Sequence, residues 1–287
     1  AAVLSPVFCQ SSPFSVQAAP SGASWPASDE VSVVCGIAGF LTRGSFTGEG
    51  ELANRAERMA ASLTHRGPDD AGVWTDAAAG VALAHRRLSI LDLSSAGHQP
   101  MISSSGRRVL IFNGEIYNHL ELRRELEGAS LAPAWIGHSD TETLLAGLEA
   151  WGIESALKKT IGMFALAVWD RVDRTLTLAR DRLGEKPLYY SWQGRVFLFG
   201  SELKALRAHP EFQAEIDRDA RARLARYNYI PSPYSIFRGI CKFSPGTMLT
   251  VSIDNNSPQV DRYWDAWKII EQAQLDPFSG SPAEATD

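Results

Sequence analysis

Cys35 opens the short apolar stretch Cys35-Gly36-Ile37-Ala38-Gly39-Phe40-Leu41. Alone, such a cysteine is compatible with plain burial, because a free Cys packs as a small hydrophobe. Three other groups change the reading: Asn113-Gly114-Glu115, Arg87 in the run His85-Arg86-Arg87-Leu88-Ser89-Ile90, and Ser139-Asp140. Each stands at the end of a candidate segment, where side chains can converge on a strand terminus. As a set they suit hydrolysis of the carboxamide of a free amino acid. If Cys35 were a first residue, its thiol and its own α-amine would share one carbon framework. An α-amine titrates at roughly 7.7–8.0, so it can act as general base without a histidine.

Attack on a carboxamide makes a tetrahedral oxyanion, which needs preorganised donors worth about 2.7–4 kcal/mol each. The Asn113 side-chain amide and the Gly114 N–H are the candidates, and glycine lets the backbone approach closely. Arg87 suits an α-carboxylate, since guanidinium binds it through a planar fork. Asp140 suits an α-ammonium, with Glu115 orienting the same end. Each residue also has a duller reading. Arg87 can be a surface residue, Ser139 or Asp140 a helix cap, and Asn-Gly a hairpin turn. A Cys–His hydrolase built on His65, His85 or His98 is the competing arrangement, although no family-specific Cys/His signature is present.

These residues need elements to hold them. Residues 35–41 read as a strand. Leu52, Ala56, Met59, Ala60 and Leu63 fall at helical spacing. His65-Arg66-Gly67-Pro68-Asp69-Asp70 is a turn forced by Gly and Pro. Short strands are expected near 71–75, 80–84 and 107–112, the last ended by Asn113-Gly114. Asn118 with Glu121 suggests a capping box for a helix through Leu126, and Ser139-x-x-Glu142 a better one for a helix carrying Leu144, Leu145, Leu148 and Trp151. Four β-rich runs follow, Met163–Trp169, Thr175–Ala179, Leu188–Trp192 and Val196–Phe199, parted by turn residues, so antiparallel hairpins are expected. Met163–Val168 is apolar on both parities, which suits a strand covered on both faces. Helices in the middle and strands at both ends indicate an α+β fold. Beyond about residue 210 the pattern weakens. Tyr229–Tyr234 is loop-like, Gly246–Val251 suggests one more strand, and Pro277–Asp287 looks like a linker.

The composition sets the outer bounds. With 287 residues and 45% hydrophobic content the chain can bury a real core. A net charge of -5 without basic runs argues against nucleic acid or an anionic membrane as partner. No apolar run is long enough to span a bilayer. The odd set Cys9, Cys35 and Cys241 has no Cys-x-x-Cys pair and no zinc-site spacing, which favours a reducing, cytoplasmic compartment. Residues 1–34 hold no Lys or Arg, lack periodicity and are rich in Ser, Ala and Pro, so they read as a disordered extension or propeptide rather than a targeting signal.

Six motifs in order carry a resemblance: Cys35-Gly36-Ile37-Ala38-Gly39, His65-Arg66-Gly67-Pro68-Asp69, His85–Ile90, Phe112-Asn113-Gly114-Glu115-Ile116-Tyr117-Asn118, Ser139-Asp140-Thr141-Glu142 and Arg180-Asp181-Arg182-Leu183-Gly184. The chain resembles the glutaminase half of glutamine-hydrolysing asparagine synthetases, class II amidotransferases of the N-terminal-nucleophile type. The resemblance covers residues 35–206 strongly and continues more loosely through Tyr229–Val251. It implies a four-layer αββα sandwich with two antiparallel sheets. It implies Cys35 as nucleophile and Asn113 with Gly114 as oxyanion hole. Arg87, Leu88, Ser89, Ile90, Asn113, Gly114, Glu115 and Asp140 would contact L-glutamine.

The domain division expected is therefore 1–34 extension, 35–206 glutaminase domain, and 207–287 connector toward a synthetase domain. The resemblance implies ATP and Mg for that synthetase domain and no cofactor here, since its Ser-Gly-Gly-x-Asp-Ser loop does not occur in the sequence. Partners implied are L-glutamine and that domain of the same parent enzyme, with monomer and homodimer left open. An amidotransferase for another acceptor, such as a polysaccharide sugar, and a silent glutamine-binding module are the alternatives. Val34 precedes Cys35. A GTG start at Val33 or Val34, or removal of a propeptide, would expose the amine.

Overall fold

The structure is a computed structural model, and it describes residues 34–44, 48–89, 94–253, 258–281 and 284. Most of the N-terminal extension and Ile90 lie outside the described residues. The chain starts with strand β1 (Gly36–Thr42), helix α1 (Glu49–Ala61) and the hairpin β2 (Asp70–Asp76) and β3 (Val81–Arg87). A short 3-10 turn at Ser95–Gly97 leads to β4 (Met101–Ile102), β5 (Arg108–Ile116) and helices α2 (His119–Gly128), α3 (Asp140–Trp151) and α4 (Ile153–Lys159). Then come β6 (Gly162–Asp170), β7 (Thr175–Arg180), β8 (Tyr189–Gln193) and β9 (Val196–Gly200), followed by α5 (Leu203–Arg207) and α6 (Arg218–Tyr227). The last elements are β10 (Cys241–Lys242), β11 (Thr247–Ser252), β12 (Gln259–Arg262) and α7 (Ala266–Leu275).

Two six-stranded sheets result, in the orders β10-β8-β9-β1-β3-β2 and β12-β11-β7-β6-β5-β4. The paired strands run antiparallel throughout. The sheets pack face to face through Ile37, Leu41, Val81 and Leu83 on one side and Val109, Ile111, Ala165, Ala167 and Trp169 on the other. The alternate residues face outward. Ala38, Phe40, Ala82 and Ala84 meet α1 and α5, while Leu110, Phe112, Leu166 and Val168 meet α2, α3 and α4. This is the α+β, four-layer αββα sandwich expected above. Side chains alternate across each strand, and every inner strand is covered on both faces. That explains the doubly apolar run Met163–Val168, whose residues from Phe164 onward are buried.

Three local expectations need correction. Asn113-Gly114 does not end its strand: β5 continues to Ile116, paired with β6 as far as Ile116↔Gly162. The pair is a ladder position with a special neighbour, not a turn. Asn118 precedes α2 without capping it by its side chain. Its amide instead donates to Lys159 O at 3.0 Å and accepts from Ile161 N at 2.9 Å, joining α2 to the loop after α4. Ser139 does cap α3, accepting from Glu142 N at 3.2 Å. The Glu142 carboxylate, however, accepts from Ile136 N and Gly137 N, so it orders the approach to the helix rather than closing a reciprocal box. Residues 207–287 add β10 to the first sheet and β11–β12 to the second.

Candidate active site

Parity along the strands determines which side chains reach one end of the gap between the sheets. On β3 the inward series Val81, Leu83 continues to His85 and Arg87. On β5 the inward series Val109, Ile111 continues to Asn113 and Glu115. Cys35 stands directly before β1. These termini bound a cavity of about 110 Å³ lined by Cys35, Arg87, Leu88, Asn113, Gly114, Glu115 and Asp140, joined by Val34, Gln99, Thr141, Met163 and Lys186. The structure thus brings together most of the residues singled out in the sequence. Ser89 is the exception among the described ones. It does not line the cavity, and its N–H donates to Asp69 Oδ2 at 2.8 Å.

The nucleophile candidate is held from several directions. Leu88 N–H donates to Cys35 Sγ at 3.3 Å, and Sγ lies 3.5 Å from Leu88 O. Arg66 Nε donates to Cys35 O at 3.0 Å, and its Nη1 donates to Glu202 Oε1 at 3.0 Å. Burial pushes the Cys35 thiol above its ordinary value, against the pull of the Leu88 N–H and the charges of Arg87 and Lys186. A buried thiol resists ionising, so attack at neutral pH calls for a base. Among the described residues, none of the three candidate histidines is hydrogen-bonded to Cys35 Sγ, whose partner is Leu88. His65 bonds Glu202 and His98 bonds Asp70, while His85 bonds the Phe112 carbonyl.

The turn 65–70 has a structural task. Gly67 runs so close to the backbone of Arg86 that an added Cβ would sit 2.4 Å from Arg86 C. Asp69 N–H donates to Arg87 O at 3.0 Å, which with the Asp69–Ser89 bond clamps the end of β3. The Arg87 guanidinium, mostly buried, donates to Ser94 O at 2.9 Å.

The facing wall is the open edge of β5. β4 pairs only with Val109 and Leu110, so among the described residues the edge beyond is left without a strand. Backbone groups of alternate residues point the same way. Phe112 N–H on that edge donates to Gln99 Oε1 at 2.6 Å, and Ile116 N–H donates to Asp140 Oδ2 at 2.9 Å. Gly114 lies between them, with its N–H toward the same edge. Beside it Asn113 is 1% exposed, and its Nδ2 has no hydrogen-bond partner among the described residues. A buried amide left this way costs free energy and is a donor awaiting an acceptor. Asp140 stands at the first turn of α3 with its carboxylate bonded to Ile116 N and Thr141 N. Burial raises its pKa, while those N–H groups and His119 lower it.

Among the site members not legible in the sequence, Gln99 and Lys186 come from loops, Thr141 from α3 and Met163 from β6. The Asp181 carboxylate accepts from five backbone N–H groups, those of Phe164, Leu183, Gly184, Glu185 and Lys186. Arg180 Nε donates to Lys186 O at 2.6 Å. The Arg180-Asp181 pair therefore winds the following loop and places Lys186 at the cavity. The only sequence signal was that Lys186 lies just past a motif.

Two antiparallel sheets between helical layers, with a thiol at the start of an inner strand, are the architecture of the N-terminal-nucleophile class of hydrolases. The chain belongs to the glutamine amidotransferase domain family, whose model matches residues 34–264. It is 37% identical over 235 residues to asparagine synthetase [glutamine-hydrolyzing] 3 of Bacillus subtilis, covering 79% of this chain and 36% of that protein. It is 32% identical over 268 residues to a putative asparagine synthetase [glutamine-hydrolyzing] 2 of Methanocaldococcus jannaschii, covering 84% and 50%. The chain thus spans between a third and a half of these relatives' length. Among solved structures, glutamine phosphoribosylpyrophosphate amidotransferase from B. subtilis superposes with a TM-score of 0.58 at 18% identity, over 80% of this chain and 49% of that one. That likeness concerns the fold alone.

Proposed function

We propose that this domain hydrolyses L-glutamine to L-glutamate and ammonia through a γ-glutamyl thioester on Cys35. The observation that carries the reading is the meeting of the two sheets. A thiol at the start of one shares a cavity with the buried Asn113 amide, whose Nδ2 has no partner among the described residues, and with the Gly114 edge of the other. In this mechanism the Cys35 α-amine takes the thiol proton, and sulfur adds to the γ-carbonyl. The oxyanion is met by Asn113 Nδ2 and Gly114 N–H. The amine returns the proton to the departing nitrogen, ammonia leaves, and water then cleaves the thioester. Arg87 pairs with the substrate α-carboxylate. Asp140 and Glu115 face the α-ammonium, whose charge would favour the ionised form of the raised Asp140 carboxyl.

A peptide-bonded nitrogen is no base, so the mechanism requires cleavage between Val34 and Cys35. Val34 itself lines the cavity, so its removal frees the amine and enlarges the space for substrate. Cys35 is a free thiol, and a cytoplasmic location fits a nucleophile that must stay reduced.

The names of the curated relatives support a parent enzyme that passes the ammonia to aspartate. The resemblance assigns the ATP and Mg that such a step needs to a synthetase portion, whose Ser-Gly-Gly-x-Asp-Ser loop does not occur in this sequence. The acceptor step therefore falls to the synthetase portion, and a sugar acceptor would leave every residue named here in the same role. The test is glutamine hydrolysis by the chain cleaved before Cys35, with hydroxylamine as trap. Formation of γ-glutamyl hydroxamate supports the thioester, and glutamine bound without turnover would make the domain a binding module instead.

A further inference from the structure

His85 is the one candidate histidine that lies inside the site's frame, and the mechanism above does not use it. It follows Leu83 on the inward face of β3 and is 1% exposed. Its Nε2 lies 3.0 Å from Phe112 O. A carbonyl only accepts, so Nε2 carries the proton. Burial lowers the pKa of the ring to about 4, with the neighbouring Arg87 charge acting in the same direction, so the ring is neutral at neutral pH. Nδ1 is then an acceptor, and it has no partner among the described residues. A buried polar ring with one nitrogen left unbonded is costly in a wall otherwise lined by Ile37, Leu83 and Ile111.

The position of this bond gives it a use. Cys35 belongs to the first sheet, and Asn113 and Gly114 belong to the second. Between the sheets lies apolar packing, which is non-directional. A shift of a fraction of an ångström along the gap would leave that packing nearly intact while moving the oxyanion donors off the sulfur. The His85–Phe112 bond crosses the gap directly, from β3 to β5. It holds the peptide group that joins Phe112 to Asn113, and Gln99 Oε1 holds the preceding one through Phe112 N–H at 2.6 Å.

We propose that His85 is a positioning residue for carboxamide hydrolysis. Its Nε2–H bond to Phe112 O fixes the segment Phe112–Gly114 against the sheet that carries Cys35, and so aims the Asn113 amide and the Gly114 N–H at the oxyanion. The proposal rests on the glutaminase reading. It gives His85 no proton to transfer, and it explains why a histidine is spent on a carbonyl instead of on the thiol.

The experiment compares His85→Asn and His85→Gln in the chain cleaved before Cys35. The Gln amide reaches about as far as Nε2, and the Asn amide stops near Nδ1. The readouts are kcat, KM for glutamine, and the inhibition constant of the γ-aldehyde analogue of glutamine. That aldehyde takes the thiol across its carbonyl, forming the S–C bond and moving the proton to oxygen, so its oxygen occupies the donor site. For His85→Asn we expect kcat to fall about 10-fold or more with KM changed by less than about 2-fold, and the aldehyde to weaken by a similar factor as kcat. His85→Gln should recover most of both losses. Wild-type kcat and aldehyde affinity in His85→Asn would overturn the proposal, and so would equal losses in the two variants. A wild-type cleaved chain that neither turns over glutamine nor captures the aldehyde would overturn the glutaminase reading and this proposal with it.

Discussion

Cys35 is a thiol made reluctant by its surroundings. Burial raises its pKa, against the Leu88 N–H, the charges of Arg87 and Lys186, and its own backbone N–H. In the uncleaved chain, alkylation of Cys35 by iodoacetamide should therefore have its pH midpoint above that of an exposed thiol, read by peptide mass mapping. A midpoint near 7 would mean that a base already acts there and would remove the need for a free α-amine. Asn113→Ala in the cleaved chain should lower kcat about 10²- to 10³-fold with little change in KM, because its amide acts on the oxyanion and not on bound glutamine. An equal loss in both constants would place Asn113 in substrate binding instead. These residues were legible because their types are unusual for their positions: a cysteine before a glycine-punctuated strand, an Asn-Gly where a strand had begun, an arginine after an apolar run. Gln99, Thr141, Met163 and Lys186 were not. Each is of a common type; Gln99 and Lys186 reach the cavity through loops whose path no local pattern sets, and Thr141 on α3 and Met163 on β6 carry no chemistry that marks them.

The decisive element is β5, and more narrowly its unpaired edge. The short β4 leaves that edge open, and Gln99 and Asp140 take up Phe112 N–H and Ile116 N–H on either side of Gly114. Reading Asn113-Gly114 as a strand end failed because its glycine answers to tight packing, not to a turn. A Cβ at Gly114 would lie 2.2 Å from Met163 O and 2.7 Å from Phe164 Cα, both backbone atoms of β6. Gly114→Ala should therefore destabilise the domain by at least about 1–3 kcal/mol in chemical denaturation and abolish hydrolysis. A stable, active variant would contradict the strand register. The loop after β7 is wound on the Asp181 carboxylate, which is fully buried. Asp181→Asn replaces one of its acceptor oxygens with a donor facing N–H groups and should cost about 2–3 kcal/mol, with hydrogen exchange speeding first at residues 183–186. Unchanged exchange there would show that the loop is held by other contacts. Helix periodicity and β-runs were readable wherever one face met the core, as in α1 and β6. The late elements α6, β12 and α7 were missed, and few of their residues are buried.

At the scale of the whole molecule, two sheets each bring half of the candidate site to a shared cavity. The same packing makes the fold sensitive to acid. His85 and His209 are buried neutral, and burial holds both near a pKa of about 4. Unfolded histidines titrate near 6.5, so the unfolded chain binds more protons between those values. Their contribution to stability is whole above pH 6.5 and is lost as pH falls through 4. The urea midpoint should drop across that window, and a flat profile would mean that the rings are charged or solvated in the native state. In the proposed mechanism Cys35 acts through its own amine once the bond to Val34 is cut. The most direct measurement is glutamine hydrolysis by one preparation, intact and after cleavage before Cys35, with the mass of each sample verified. The expected result is a silent intact chain and a cleaved chain that releases glutamate and ammonia in equal amounts. An intact chain that turns over as fast as the cleaved one would contradict it.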